Sequence, residues 1–470
     1  MRIAFIVSDL ASEFKEDWKS MEHRDKVRLL EADRRYVWHP FTQMKDYAER
    51  DPVLIERAEG VFLYDADGKA YYDTNSSWWV NVHGHAHPRI REAVNRQMAK
   101  MDHVMFAGLT HAPGIELAER LTALTPDGLT KVFYSDNGST AVEVALKMSF
   151  QYWQQTGCPD KTTFAYVEHS YHGDTIGAVS VGGVDQYHSV FRPLLFGAHK
   201  VPSPDPRGRQ DGDAEAAAAE ALEAVRRLFE ASAGEIAALI VEPMIQAAGG
   251  MILHPASYVR GLRELCTQYG VHLIADEVAV GFGRTGRMFA CEHAGISPDF
   301  LCLSKGLTAG MLPLSVTMTT AGIYDAFYDD YAKLKTFTHG HSFTGNPLAC
   351  AVALESLRIF EEEGVLEQAA AAASHLQRAA ARLAADPGVA HLRGLGMVAA
   401  FDLYRDRDSG ERYPWEERIG FRVYEEGLQQ GLFLRPLGDT IYFWLPLCTT
   451  AAQIDDILGR TEKVLQRMSR

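Results

Sequence analysis

Lys305 stands directly after the apolar run Phe300-Leu301-Cys302-Leu303 in "FLCLSKG", where a strand should still be leaving the protein interior. One reading carries its charge to solvent along the methylene stem. The other holds the lysine in an apolar pocket, where desolvation lowers its pKa and frees an amine able to form a Schiff base. Asp276 closes a similar run, Leu273-Ile274-Ala275, and a carboxylate so placed needs a fixed cationic partner or it takes up a proton. Gly138, Ser139 and Thr140 stand between the strand-like "KVFYSD" and a helix, so their N–H groups and the helix dipole suit a phosphate. Taken alone, the same residues read as a capped helix, with Ser139 or Thr140 as N-cap and Glu143 completing a capping box. A crossover connection can bring Asp276 and Lys305 to one sheet edge, the edge at which open α/β sheets bind ligands. Amine, carboxylate and phosphate cradle together describe a site for pyridoxal phosphate: Lys305 on the aldehyde, Asp276 on the ring nitrogen, Gly138 and Ser139 on the phosphate.

Such a ring needs covered faces. Tyr171 in "SYHGDT" can cover one, and Val278, two residues beyond Asp276, the other. A strand-end turn and a core valine explain the same residues. Gly281, Gly283 and Gly286 spell G-x-G-x-x-G, but the strand ends before the first glycine and "RMFACEHAG" makes a poor helix, which counts against a dinucleotide fingerprint. His83, His85 and His87 alternate around Gly84 before Pro88, a turn pattern with no cysteine or paired carboxylate to complete a metal set. No metal is expected.

These residues require a particular scaffold. "GVFLYDADG" and "KAYYDTNSSWWVNVHG" read as strands joined at Asp67-Gly68, a small antiparallel lobe. From Pro88 helices alternate with short strands, which predicts an α/β domain with a mostly parallel sheet. "SPDPRGRQDGD" is a polar loop, and the Ala/Glu-rich stretch behind it a helix. Beyond residue 346 an Ala-rich helical stretch, a Gly-rich turn at "RGLGMVAAFDLY", a helix and the strand pair "LFLRPLGDTIYFWLP" form a C-terminal α+β lobe. The expected divisions are 1–33 as an extension or arm, 34–87 as part of a small lobe, 88–345 as the cofactor domain and 346–470 as a small domain.

A chain of 470 residues with 47% hydrophobic and 23% charged residues is expected to be a soluble globular protein. Its net charge of −15, without a basic run, argues against nucleic acid or anionic lipid and for small-molecule partners. Six cysteines without C-x-x-C spacing read as reduced thiols of a cytoplasmic protein. The opening "MRIAFIVSDLASEF" makes neither a convincing signal peptide nor a membrane span.

"YHGDT", "DEVAVGFGRTG", "LSKG" and "HGHSFTGNPLAC" closely resemble the class III aminotransferases of pyridoxal-phosphate fold type I. "VWHPFTQM", "SSWWVNVHGHAHP", "HVMFAGLTHAP", "ALKMSFQYW" and "LRPLGDTIYFWLP" are similar, more narrowly, to the branch that aminates 8-amino-7-oxononanoate to 7,8-diaminononanoate in biotin synthesis. The resemblance spans about residues 34–465. It implies that Lys305, Asp276 and Tyr171 are catalytic, that Gly138, Ser139, Glu242 and Val278 help to hold the cofactor, and that the enzyme is a homodimer. His341 and Ser342 match the segment that crosses the dimer interface, so that Ser342 of the partner subunit would add to the phosphate site; a serine stands here where the family usually has threonine. Trp78, Tyr171, Gly340 and Arg435 match substrate-contacting positions, and Arg284 a conformationally sensitive arginine near the substrate. Phe41 stands where many relatives have a tyrosine associated with the keto acid and the adenine of S-adenosylmethionine. Phenylalanine keeps the stacking face without the hydroxyl, and "FYDDYAKLKTFTHGHSFTGN" resembles relatives that use lysine as amino donor, so the resemblance leans to lysine over S-adenosylmethionine. The alternative is another class III ω-aminotransferase acting on diamines or ω-amino acids.

Overall fold

The computed structural model describes residues 23–184, 188–209 and 211–468. The expected arm at 1–33 lies in its first 22 residues outside them, and the remainder begins a helix, His23–Tyr36. The central sheet has seven strands in the order Leu129–Ser135, Ser315–Thr320, Phe300–Leu303, His272–Asp276, Ile236–Val241, Thr163–Val167 and His199–Val201. Only Ser315–Thr320 runs against its neighbours, so the sheet is mostly parallel, as the alternating pattern predicts. Its middle strands are continuous apolar runs because helices cover both faces: Ile236–Val241 and Phe300–Leu303 are buried throughout. The helices Gly138–Gln155, Ala214–Ser232 and Ala256–Tyr269 supply much of that cover.

The predicted hairpin forms, with Phe62–Asp65 antiparallel to Ala70–Asp73. Its second strand ends at Asp73, and the "SSWW" that reads as a continuing strand is a separate turn, Ser76–Trp79. The C-terminal expectation needs a further correction. "LFLRPLGDTIYFWLP" is not a strand pair: Leu432–Phe433 runs parallel to Ala70–Asp73 in the N-terminal sheet, while Thr440–Trp444 pairs with Val398–Leu403 in a three-stranded sheet. The stretch read as a Gly-rich turn is the hairpin Val389–Leu395 and Val398–Leu403. Leu432–Phe433 and Thr440–Trp444 find partners far away in sequence, of which local pattern carries no trace, whereas the hairpin joins neighbouring strands across Gly396-Met397. The segments flanking the large sheet are thus knitted together, with the Thr74 hydroxyl donating to Phe433 O and the Asn75 amide to the same oxygen.

Candidate active site

Asp276 and Lys305 emerge from adjacent parallel strands, with Asp276 opposite Cys302. A cavity of about 780 Å³ opens at this carboxyl edge, and Gly138, Ser139, Tyr171, Glu242, Asp276, Val278 and Lys305 all line it. Their proximity follows from topology, since each stands at or just after the end of a strand of one sheet.

Lys305 leaves its strand with φ +45, a left-handed backbone that a residue with a Cβ adopts at a cost. Burial pulls its ammonium down to about 8, although the carboxylates of Asp276 and Glu242 act to raise it. The Asp276 carboxylate is buried and fixed at both oxygens: Oδ2 lies 2.7 Å from His172 Nδ1, and Oδ1 accepts the Val278 N–H at 3.0 Å. The required polar partner is therefore an imidazole contributed by the residue after Tyr171, and its Nε2 has no hydrogen-bond partner among the described residues. Glu242 accepts the N–H groups of Tyr171 and Ala247, both at 3.0 Å, and burial pushes its carboxyl up to about 7. Tyr171 donates its hydroxyl to Asp174 at 2.8 Å.

The helix Gly138–Gln155 presents its N-terminus to the cavity. Its cap is Asn137, neither Ser139 nor Thr140: Asn137 Oδ1 accepts the Thr140 N–H at 3.2 Å and Thr140 Oγ1 accepts the Asn137 N–H at 3.1 Å. Glu143 plays no part in a capping box and instead accepts the N–H of Gly177 at 2.8 Å. The cap lies two residues before Ser139 and three before Thr140, which leaves Ser139 on the cavity wall. A Cβ at Gly138 would sit 2.6 Å from Val278 Cγ1, and one at Gly173 1.9 Å from Ser139 Oγ, so the cradle is shaped by the absence of side chains. Anion cradle, depressed amine and fixed carboxylate fit a pyridoxal phosphate: Gly138 and Ser139 toward its phosphate, Asp276 toward its ring nitrogen, Lys305 toward its aldehyde.

The outer wall is aromatic and cationic. Phe41 and Trp78 meet edge to face at 5.6 Å, and the Arg435 guanidinium lies 4.5 Å over the Trp78 ring. No carboxylate pairs with Arg435 among the described residues, so it can receive one from a ligand. Trp78 and Trp79 belong to the turn missed in the sequence: Ser76, Ser77, Trp78 and Trp79 have φ of 52, 47, 70 and 73, one turn of left-handed helix. Each such residue costs about 1–2 kcal/mol. Asp73 offsets this by accepting the Ser77 N–H and hydroxyl, Asn75 by accepting the Trp78 N–H, and Ser76 by donating to Trp444 O.

Other expected site residues stand elsewhere. In this conformation Arg284 does not reach the cavity: it is buried, donates to Leu445 O and to Asn81 O, and burial lowers it to about 9. Gly340, His341 and Ser342 do not line the cavity of their own chain, though His341 Nε2 comes within 3.9 Å of Asp136, which does. The three alternating histidines diverge, His83 to Ser356, His85 to Asp73 and His87 to Glu363. Gly281, Gly283 and Gly286 lie in a loop between Asp276 and the four-residue helix Cys291–Ala294, and so lack the strand and helix a dinucleotide site needs. His172 and Trp79 were missed, although the demand of Asp276 for a partner was a usable signal for the first.

Residues 44–465 match the family described as aminotransferase class-III. The chain is similar to the adenosylmethionine-8-amino-7-oxononanoate aminotransferase of Geobacter sulfurreducens, 48% identical across 96% of this chain and 100% of the relative. That of Anoxybacillus flavithermus is 45% identical across 93% and 96%. Among solved structures, the same-named enzyme of Methanocaldococcus jannaschii superimposes with a TM-score of 0.90 at 39% identity, covering 94% of this chain and 99% of that one. An (S)-enantioselective omega-transaminase from Thermomicrobium roseum gives 0.90 at 31%, covering 97% and 100%.

Proposed function

This chain belongs to the class-III aminotransferases, and from that premise we propose that it transfers an amino group to 8-amino-7-oxononanoate, giving 7,8-diaminononanoate for biotin synthesis. The enzyme is a pyridoxal-phosphate-dependent transaminase of fold type I. When bound, the cofactor supplies an electrophilic carbon for an amine and a ring that accepts electrons as a proton leaves the substrate carbon. The observation that carries the reading is the convergence of Lys305, Asp276 and the Gly138 helix terminus on one cavity.

Each residue has a role suited to its surroundings. Lys305, with its amine near 8, can hold a proton and release it at working pH, and so can move it at the substrate carbon. Asp276, oriented by His172, would keep the ring nitrogen protonated. Tyr171 and Val278 would cover the ring faces, and Glu242 would hold the cofactor's polar edge. Trp78 and Phe41 would exclude water from the aliphatic chain of the keto acid, and Arg435 would bind its carboxylate.

The relatives' names point to adenosylmethionine as donor, and we take that as the proposal, with lysine as the second arm of the test. Each donor should be incubated separately with enzyme and 8-amino-7-oxononanoate, and 7,8-diaminononanoate quantified by mass spectrometry. Product with neither donor, alongside amination of a simple ketone by a diamine, would transfer the assignment to the ω-aminotransferase alternative.

We further propose a homodimer sharing its sites. Support comes from the exposed apolar side chains Tyr328, Tyr331, Leu334 and Phe343 on the segment carrying Gly340, His341 and Ser342. We place the domain boundaries near residues 87 and 346. No described helix is long and apolar enough to cross a membrane, and the unpaired cysteines suit a reducing cytoplasm.

A further inference from the structure

Trp79 is buried, yet one face of its indole belongs to the cavity wall. Lys305 Nζ lies over that face, 4.5 Å from the ring centroid. The ring is held from behind. Its Nε1 donates to the Tyr442 hydroxyl at 3.2 Å, and Trp444 packs against it with centroids 5.3 Å apart. The Arg284 guanidinium in turn lies 5.3 Å over the Trp444 ring. Two cations thus bracket two indoles, and the left-handed turn Ser76–Trp79 is what sends adjacent tryptophans to different tasks, Trp78 toward Arg435 and Trp79 toward Lys305. Backbone strain of this kind persists where surrounding contacts over-determine it, and it concentrates at functional sites.

We propose that Trp79 is a positioning residue that receives the Lys305 ammonium on its indole face whenever Nζ is not engaged with cofactor. The proposal rests on the reading that Lys305 is the cofactor lysine. An amine that is released and must be recaptured needs a resting place that keeps it in the cavity without an ion pair strong enough to hold it. An aromatic face suits this, because it attracts the ammonium weakly and leaves the neutral amine free to return. The charged and titratable groups facing Lys305 are Asp276 with His172 behind it, Glu242, and Arg284 beyond the indoles. Because the ring favours the charged form, weakening it should make Lys305 a weaker base.

The test follows the pH dependence with which Lys305 in the full-length chain, freed of cofactor, is trace-labelled by an amine-reactive anhydride, read by peptide mass spectrometry. Trp79→Leu should lower the labelling midpoint by about half a unit to one unit, and Trp79→Phe by less. Should Trp79→Leu not fold, site-specific fluorinated tryptophans at position 79 keep the shape while draining the ring's negative face, and the midpoint should fall stepwise with fluorine number. A midpoint that stays constant across folded variants and across the fluorinated series overturns the proposal and leaves Trp79 a packing residue. Borohydride reduction of the holoenzyme with peptide mapping tests the underlying reading separately: cofactor on another lysine removes the role of Lys305 whatever the labelling shows.

Discussion

His172 Nδ1 and Asp276 Oδ2 stand 2.7 Å apart in a region closed to solvent, linking the loop after one central strand to the end of another. The contact fixes the plane of the carboxylate, and the Val278 N–H fixes its other oxygen, so the charge points in one direction without needing to search for it.

Asp276→Asn keeps the size and loses the charge. Turnover should fall about a hundredfold or more, for roughly 3 kcal/mol of lost charge-assisted stabilisation. His172→Phe should cost less, because the carboxylate itself remains, with the Val278 N–H still held at Oδ1 and the cofactor's ring nitrogen still able to partner it, and only one of its fixed contacts is lost. Steady-state rates of the two variants check the order; an Asn variant within threefold of wild type would dismiss the role of Asp276.

Lys305→Ala should abolish turnover, and borohydride should then fix no cofactor to the chain. The native lysine has a pH signature. Because burial brings its ammonium down to about 8, the free amine grows through that pH and saturates above it. The rate at which cofactor-free protein captures added pyridoxal phosphate should rise about tenfold per unit below pH 7 and level off above about 9. A rate still climbing steeply at pH 10 would describe an ordinary, solvated lysine.

Arg435→Ala removes the guanidinium over Trp78 that has no carboxylate partner among the described residues. The KM for the keto acid should rise by the equivalent of about 2 kcal/mol, roughly thirtyfold, and much more than the KM for the donor. Separate half-reaction titrations measure both, and equal effects would make the arginine structural.

Glu277, next to Asp276, accepts the N–H groups of Ala290 at 2.6 Å and Cys291 at 2.7 Å, and burial pushes its carboxyl up to about 7 against those bonds. Its folded-state value lies above the ordinary one, so between about pH 4.5 and 7 the native protein keeps a proton that the unfolded chain has released. Stability from this group is present below that window and lost as pH rises through it. Glu277→Gln cannot titrate. Its stability relative to wild type should therefore improve by on the order of 3 kcal/mol between pH 4.5 and 7.5. Denaturation curves at both ends of the window test this, and a constant difference would show that Glu277 does not titrate there.

The sequence by itself determined the chemistry-bearing residues and the frame that holds them. Apolar runs such as Phe300–Leu303 and Ile236–Val241 announce buried strands because their neighbours along the chain carry the signal, and a lysine or aspartate closing such a run is conspicuous. Alternation of these runs with helices implies a parallel sheet, and the parallel sheet implies a common edge for Asp276, Lys305 and Gly138. Tertiary structure decided what depends on contacts distant in sequence. The left-handed turn at Ser76–Trp79 goes against local preference and stands because Ser76 reaches Trp444, 368 residues away. Leu432–Phe433 joins the N-terminal sheet, where no local pattern could place so short a strand. Arg284 lies behind the aromatic wall instead of in the cavity because backbone carbonyls of Leu445 and Asn81 converge on its guanidinium. Local periodicity records which face of an element is buried, whereas the partner that buries it is a property of the folded chain alone.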